Sequence, residues 1–408
     1  TDAERVRDVA VRAAGTGPAL RALGPEHIAR ALAGAIARVT DPTSPVGAHA
    51  RDELARSTGL STPMVDWALG TNVAPATAER LLGLHAPPQA RAEPVPARLC
   101  VAVLAGNVFT AALRAVAVPL LHAVPVVAKA SSRDDAFPRL LRRALAEVDP
   151  EVAPGLSVLT FAGGREALED ALFAEADVVQ VHGSDATVAR IRARLPATTR
   201  LLAHGHGLGV GWVPAAALPD AATARRVARA VALDVAAFDQ RGCLSPHAVF
   251  VQTGGAASGA DFAELLHAGL AELDRTLPRG ALPTELGAAQ VQWRGVAAAR
   301  GRLLEGRHHA VSHEGEGPLR LSPGWRNVAV LDAPDVAAWM AQVRPLGVHL
   351  KAVGIAGDAA HRAEVAAALP APLAPRLCAV GEMQTPPIDG LADGDPPWLG
   401  MIRWAELQ

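Results

Sequence analysis

The chain contains no tyrosine, and its 408 residues include only seven tryptophans and seven phenylalanines. Half of it is nevertheless apolar, much of that alanine, so packing must come from close helix contacts and valine- and leucine-rich strands. Cysteine is scarce as well. Cys100, Cys243 and Cys378 are too few and too widely spaced for a disulfide framework or a cysteine zinc site. Neither sign of charge dominates, with 39 basic and 41 acidic residues and a net charge of -2, which excludes a general electrostatic attraction to nucleic acid or anionic membrane. Apolar runs are broken by Pro119, Pro125 or charge before they reach membrane-spanning length, which argues against integral membrane contact. The opening TDAERVRDVAVRAA lacks the layout of a secretory leader, so the expectation is a reduced, cytoplasmic enzyme of two or three domains.

Residues 3–85 read as helical. In GPEHIARALAGAIARV, Pro25 is placed to open a helix, and Ile28, Leu32, Ile36 and Val39 recur at helical spacing on one face. The proline-rich APPQARAEPVPAR, 86–98, reads as an extended linker with a domain boundary near residue 95. Beyond it, short apolar runs at 99–105, 125–130, 157–162, 177–183 and 199–205 alternate with helical segments around 110–122, 134–147, 165–175 and 185–195. That is the spacing of successive βαβ units, and continuous valine and leucine strands suit a parallel sheet covered on both faces. A further helix, about 222–237, leads into FDQRGCLSP, and HHAVSH at 308–313 reads as a solvent-facing loop.

In FDQRGCLSP, Cys243 lies between a turn-forming glycine and a Ser-Pro stop, a setting that could present a thiolate for acyl transfer, with Arg241 two residues away. Asn107, after Gly106 at a strand end, could donate its amide to a developing oxyanion. Lys129, beside Ser131 at another strand end, suits a ribose or phosphate, and Ser184 after Gly183 can cap a helix whose N-H groups face an anion. The AHGHG turn offers His204 as a proton donor or base, whereas zinc there is poorly supported because no carboxylate or cysteine stands at ligand spacing. Plainer readings stay open: an inert buried thiol for Cys243, a cap or turn role for Asn107, an edge lysine for Lys129 and a turn histidine for His204. No G-x-G-x-x-G follows the first strand, so a dinucleotide would have to bind by another arrangement.

The chain resembles the aldehyde dehydrogenase superfamily, and within it the fatty acyl-CoA reductase branch, the reductase component of bacterial bioluminescence. The resemblance rests on AGNVFTAALRAVAVPLLHAVPVVAKASSRDD, VVQVHGSDATVARIR, FDQRGCLSPHAVFVQ and GEMQTPPIDG, and covers most of residues 96–390. It implies an α/β, aldehyde dehydrogenase-like fold with two parallel-sheet α/β domains after an N-terminal helical region. The implied divisions are a helical region and linker at 1–95, a cofactor-binding domain at 96–236, a catalytic domain at 237–378, and a segment at 379–408 returning to the core or an oligomer interface. It further implies Cys243 as nucleophile and Asn107 as oxyanion donor, while His204 stands as the proton-transfer candidate read from the AHGHG turn. Lys129, Ser131, Gly183, Ser184 and Gly205 would bind the cofactor, NADPH with NADH as the alternative, and no metal is expected.

Where hydrolytic members carry ELGGK this chain has AHGHG, which puts Ala203 in place of their general-base glutamate. Reduction of an acyl-CoA to an aldehyde is therefore the expected reaction. The rivals are a CoA-acylating or hydrolytic aldehyde dehydrogenase working oxidatively, and a non-catalytic scaffold protein of the same fold. Expected partners are the acyl-CoA substrate, further copies of the chain, and an acyl-supplying or aldehyde-consuming enzyme.

Overall fold

The computed structural model of the protein describes residues 1–89, 91–132 and 134–407; Ala90 in the expected linker, Arg133 in the ASSRDD segment and Gln408 lie outside the described residues. The chain divides into two compact units, residues 1–206 with 387–408, and residues 207–386.

The first unit opens with helices. Thr1 and Glu4 form a reciprocal capping box on Asp2–Ala14, and Pro25 occupies the first turn of Pro25–Thr40. Ile28, Leu32, Ile36 and Val39 are all buried as the spacing requires, each contributing about 1.5–3 kcal/mol of apolar burial.

The proline-rich stretch read as a linker contains a strand, β1 (Ala92–Pro96). Five more follow: β2 (Cys100–Val103), β3 (Val126–Ala130), β4 (Leu156–Thr160), β5 (Val178–His182) and β6 (Arg200–His204). These form one wholly parallel sheet in the order β4-β3-β2-β5-β6. The order reverses between β2 and β5, and the carboxyl ends of strands at such a reversal are where open sheets of this kind take their ligands. Every residue of β2 and β3 is buried, which is why these strands read as continuous apolar runs.

The second unit carries β7 (Leu208–Val213), β8 (Pro246–Gln252), β9 (Arg302–Glu305), β10 (Ala310–His313), β11 (Asn327–Ala333), β12 (Leu350–Ile355) and β13 (Arg376–Ala379). They form a seven-stranded sheet, β13-β12-β7-β8-β11-β10-β9, parallel except for the β9–β10 pair. Residues 207–236, expected with the cofactor-binding region, supply β7 and the helix Ala221–Ala236 of this second unit. Strand patterning shows that a parallel strand exists but not which sheet it joins. HHAVSH is not a solvent-facing loop: it contains β10, where Ala310, Val311 and Ser312 are fully buried.

Finally β14 (Ile402–Glu406) pairs antiparallel with β1, from Ala92 opposite Glu406 to Pro96 opposite Ile402. Pro94 and Pro96 are tolerated because a two-stranded ribbon leaves one side of each strand without ladder bonds. Among the described residues no helix is long and apolar enough to cross a membrane.

Candidate active site

Cys243 sits in the tight turn that leads into β8 and is exposed. The turn closes through Ser245 N donating to Gly242 O at 3.0 Å, and Gly209 N of β7 donates to Ser245 O at 2.8 Å. Just upstream, Phe238, Asp239 and Gln240 have φ of 51°, 55° and 59°, three consecutive side-chain-bearing residues in the left-handed region. Buried contacts hold them there. Gln240 Nε2 donates to Pro246 O and Asn327 O at 2.7 and 2.8 Å, and Asp239 pairs with Arg326. Arg241, the expected helper of the thiol, lays its guanidinium over the Trp325 ring at 5.3 Å. The other two thiols are set apart: burial pushes both Cys100 and Cys378 up to about 12.

Sequence reading missed Lys351, whose stem lies on the same side of Gly207 as Cys243. An ideal Cβ on Gly207 would stand 2.3 Å from Lys351 Cγ and 3.2 Å from Cys243 Cβ, so only glycine fits. The signal was present in the composition, because Lys129 and Lys351 are the only two lysines among the 39 basic residues.

The remaining expected residues gather in the first unit, at the carboxyl ends of its parallel strands. Gly106 lets the exposed Asn107 loop pack against the next one: a Cβ there would lie 3.0 Å from Ser131 Oγ. Lys129 is 5% exposed, with Nζ 5.1 Å from the centre of the Phe161 ring. Burial holds its ammonium below the ordinary lysine range, against the opposing pull of Glu169. Among the described residues no carboxylate or carbonyl pairs with that ammonium, so its donors remain available to a ligand.

Glu169 is itself buried, accepting from Gly164 N at 3.0 Å and pairing with Arg194 at 2.7 Å. Burial raises its carboxyl, but these hydrogen bonds together with Arg190 outweigh that and hold it below the usual range. The glycine turn after β4 is thereby fixed.

Ser184 caps Asp185–Arg192, its side chain accepting from Thr187 N, and Gly183 packs against Thr187. Asp185 Oδ1 accepts from His206 N at 2.9 Å and would lie 2.6 Å from a Cβ on Gly205, which latches the turns after β5 and β6 together. His204 Nδ1 is 2.8 Å from Asp393 Oδ2, and its ring stacks on His182 with centroids 4.5 Å apart. Asp393 was not foreseen. It lies on the segment that returns to the first unit, where Arg114 donates to the carbonyls of Pro387, Ile388, Gly390 and Leu391.

A buried ammonium, a capped helix N-terminus and glycines that admit close backbone approach form a donor set suited to the ribose and phosphates of a dinucleotide. The exposed thiol is the group suited to covalent acyl transfer.

Residues 86–396 match the family model described as acyl-CoA reductase (LuxC). No curated protein matches the chain by sequence. Among solved structures, aldehyde dehydrogenase 21 from Physcomitrella patens, in complex with the reaction product succinate, aligns with a TM-score of 0.75 at 14% identity, covering 99% of this chain and 90% of that one. The aldehyde dehydrogenase KauB from Pseudomonas aeruginosa gives 0.74 at 16% identity, with 100% and 89% covered. A proline utilization A (PutA) mutant from Bradyrhizobium japonicum gives 0.72 at 16% identity, and this chain, 99% covered, spans only 45% of its length. The fold is that of the aldehyde dehydrogenases.

Proposed function

Given that the chain belongs to the acyl-CoA reductase (LuxC) family, we propose that it reduces a fatty acyl-CoA to the aldehyde through a thioester on Cys243. The observation that carries this reading is the exposure of Cys243 on a braced turn while the other two thiols are buried.

In this reading the Cys243 thiolate attacks the thioester carbon, the amide of Asn107 stabilises the oxyanion, and CoA leaves as its thiolate and takes up a proton. NADPH, with NADH as the alternative, supplies the hydride when bound. The resulting alkoxide on Cys243 collapses, the carbon–sulfur bond breaks, and aldehyde leaves with the thiolate regenerated. Lys129 and Ser131 hold the adenosine ribose, Gly183, Ser184 and Gly205 line the pyrophosphate, and His204 handles protons with Asp393 orienting its ring. Ala203 offers no carboxylate to activate water, which favours transfer to a thiol or hydride over hydrolysis. The proposed setting is the cytoplasm, as a homo-oligomer beside an enzyme that supplies the acyl group or consumes the aldehyde.

The deciding experiment follows NADPH consumption and covalent labelling with a panel of acyl-CoAs, in the native protein and in Cys243→Ala. Labelling and aldehyde formation are expected to vanish in the variant while NADPH binding persists. Retained turnover would assign the nucleophile elsewhere. CoA-independent formation of acid from aldehyde and NAD(P)+ would favour a hydrolytic dehydrogenase instead.

A further inference from the structure

Arginine fills the basic positions of this chain almost everywhere, and the two exceptions, Lys129 and Lys351, each lie among candidate site residues. Lysine and arginine are not interchangeable: an ammonium is a compact point charge on a flexible stem, a guanidinium a broad planar fork. Lys351 is also placed by an irregularity. Along β12, Leu350 stands opposite Leu208 and Ala352 opposite Gly209, so Lys351 is the extra residue of a bulge. Bulges re-aim side chains and recur beside active sites. This one sends the lysine stem over the bare Cα of Gly207, where Cγ and Cδ lie 2.3 and 3.3 Å from a point that is 3.2 Å from Cys243 Cβ. The ammonium is two bonds beyond Cδ, which brings the sulfur within its reach.

Among the described residues, the other charged and titratable groups around the cysteine turn make contacts of their own. The Arg241 guanidinium covers Trp325 and its Nε donates to Phe238 O. Asp239 turns inward to Arg326, and His247 directs Nδ1 to Ser322 O at 2.9 Å. Asp234 accepts from Gly381 N and Met383 N beneath the loop that packs on Leu244, and the Arg376 guanidinium donates to the carbonyls of Glu382 and Met383 in that loop.

We infer that Lys351 is a positioning residue for the nucleophile: its ammonium is the counter-charge that keeps the Cys243 sulfur ionised and aimed at the incoming thioester. This inference rests on the reading of Cys243 as the acylated residue.

The test is the pH dependence of iodoacetamide alkylation of the full-length protein, with Cys243→Ala giving the background from the two buried thiols. In Lys351→Met, which keeps the stem and removes the charge, the half-maximal pH of alkylation is expected to rise by about one unit or more. Single-turnover acylation at pH 7 should fall about tenfold and recover at higher pH. Lys351→Arg, which keeps the charge, should stay near the native profile. Gly207→Ala, which leaves the lysine but displaces its stem, should shift the profile in the same direction as Lys351→Met and serves where that variant fails to fold. A native profile in either folded variant, with Cys243 still required for turnover, overturns the role of Lys351 alone. Turnover that survives in Cys243→Ala overturns the nucleophile reading and this inference with it.

Discussion

Arg326 Nη2 donates to Asp239 Oδ1 at 2.8 Å, and both side chains are 1% exposed. The same guanidinium donates to Leu277 O and Asp274 Oδ1, while Asp239 Oδ2 accepts from Gly280 N. Trp325 and Arg326 have φ of 58° and 65°, so this ion pair ties a second left-handed segment to the one before Cys243. Each such residue costs on the order of 1–2 kcal/mol, which the surrounding contacts must offset. Removing the Asp239 carboxylate leaves Asp274 as the counter-charge on Arg326. Asp239→Asn is therefore expected to lower stability by about 1.5–3 kcal/mol, the loss of a charge-assisted hydrogen bond, and Cys243 acylation should slow because its turn loses its brace. Denaturant unfolding and acylation kinetics measure the two effects, and a loss below about 1 kcal/mol would show that the pair does not hold the turn.

The buried ammonium of Lys129 leads to a prediction about the cofactor. Lys129→Met preserves the stem beside Phe161 and deletes the charge. NADPH binding is expected to weaken by roughly tenfold or more, the value of a charge-assisted hydrogen bond, while acylation of Cys243 in the absence of cofactor continues. Calorimetric titration gives the first quantity and single-turnover labelling the second. Unchanged NADPH affinity would remove Lys129 from the cofactor site.

How far these features could be read from sequence depends on how local their cause is. The five strands β2 to β6 were legible because each is a short valine- or leucine-rich run bounded by turns or polar segments; burial on both faces demands such runs in the central β2, β3 and β5, whereas the edge strands β4 and β6 are half-buried. Strand β1 was not, because its partner β14 lies some three hundred residues away and its prolines mimic a linker. Cys243, Asn107 and Gly183-Ser184 stood out as polar or reactive residues at strand ends or turns. Lys351 did not, since its direction comes from a bulge set by pairing with β7, and Asp393 is brought to His204 only by the fold.

That His204–Asp393 contact carries its own prediction. A carboxylate on Nδ1 fixes the imidazole tautomer and leaves Nε2 as the atom that can exchange a proton with a reacting group. Asp393→Asn replaces an acceptor by an amide that no longer enforces this, so kcat is expected to fall about tenfold with KM for acyl-CoA little changed, and His204→Phe to fall further. Steady-state kinetics across pH would show it. A native kcat in both variants would leave His204 a purely structural residue.

Three histidines make stability depend on acidity. Burial lowers His122 to about 4, His182 to about 3 and His309 to about 4, from an ordinary value of 6.5. His122 shows the cause most plainly. Its Nδ1 lies 2.8 Å from Val118 O and its Nε2 accepts from Ala86 N at 3.0 Å, so a second proton would face an N-H. In the unfolded chain each ring takes up a proton near pH 6.5, whereas the folded chain resists until well below that. The stabilising effect is thus fully present above pH 6.5 and is lost as pH falls toward 4, by about 1.4 kcal/mol per pH unit for each group. Asp234 acts oppositely: burial raises its carboxyl to about 7, so the folded state holds one proton that the unfolded state has released above 3.8. Across the shared window these four groups leave the unfolded chain with a net excess of two protons, and their contribution on acidification from pH 6 to 5 is expected to be a loss of about 2–3 kcal/mol of unfolding free energy. His122→Gln should reduce that slope by about one proton whatever its effect on stability at pH 7, as read from urea unfolding at a series of pH values. A slope unchanged by the substitution would mean that His122 carries its charge in the folded protein.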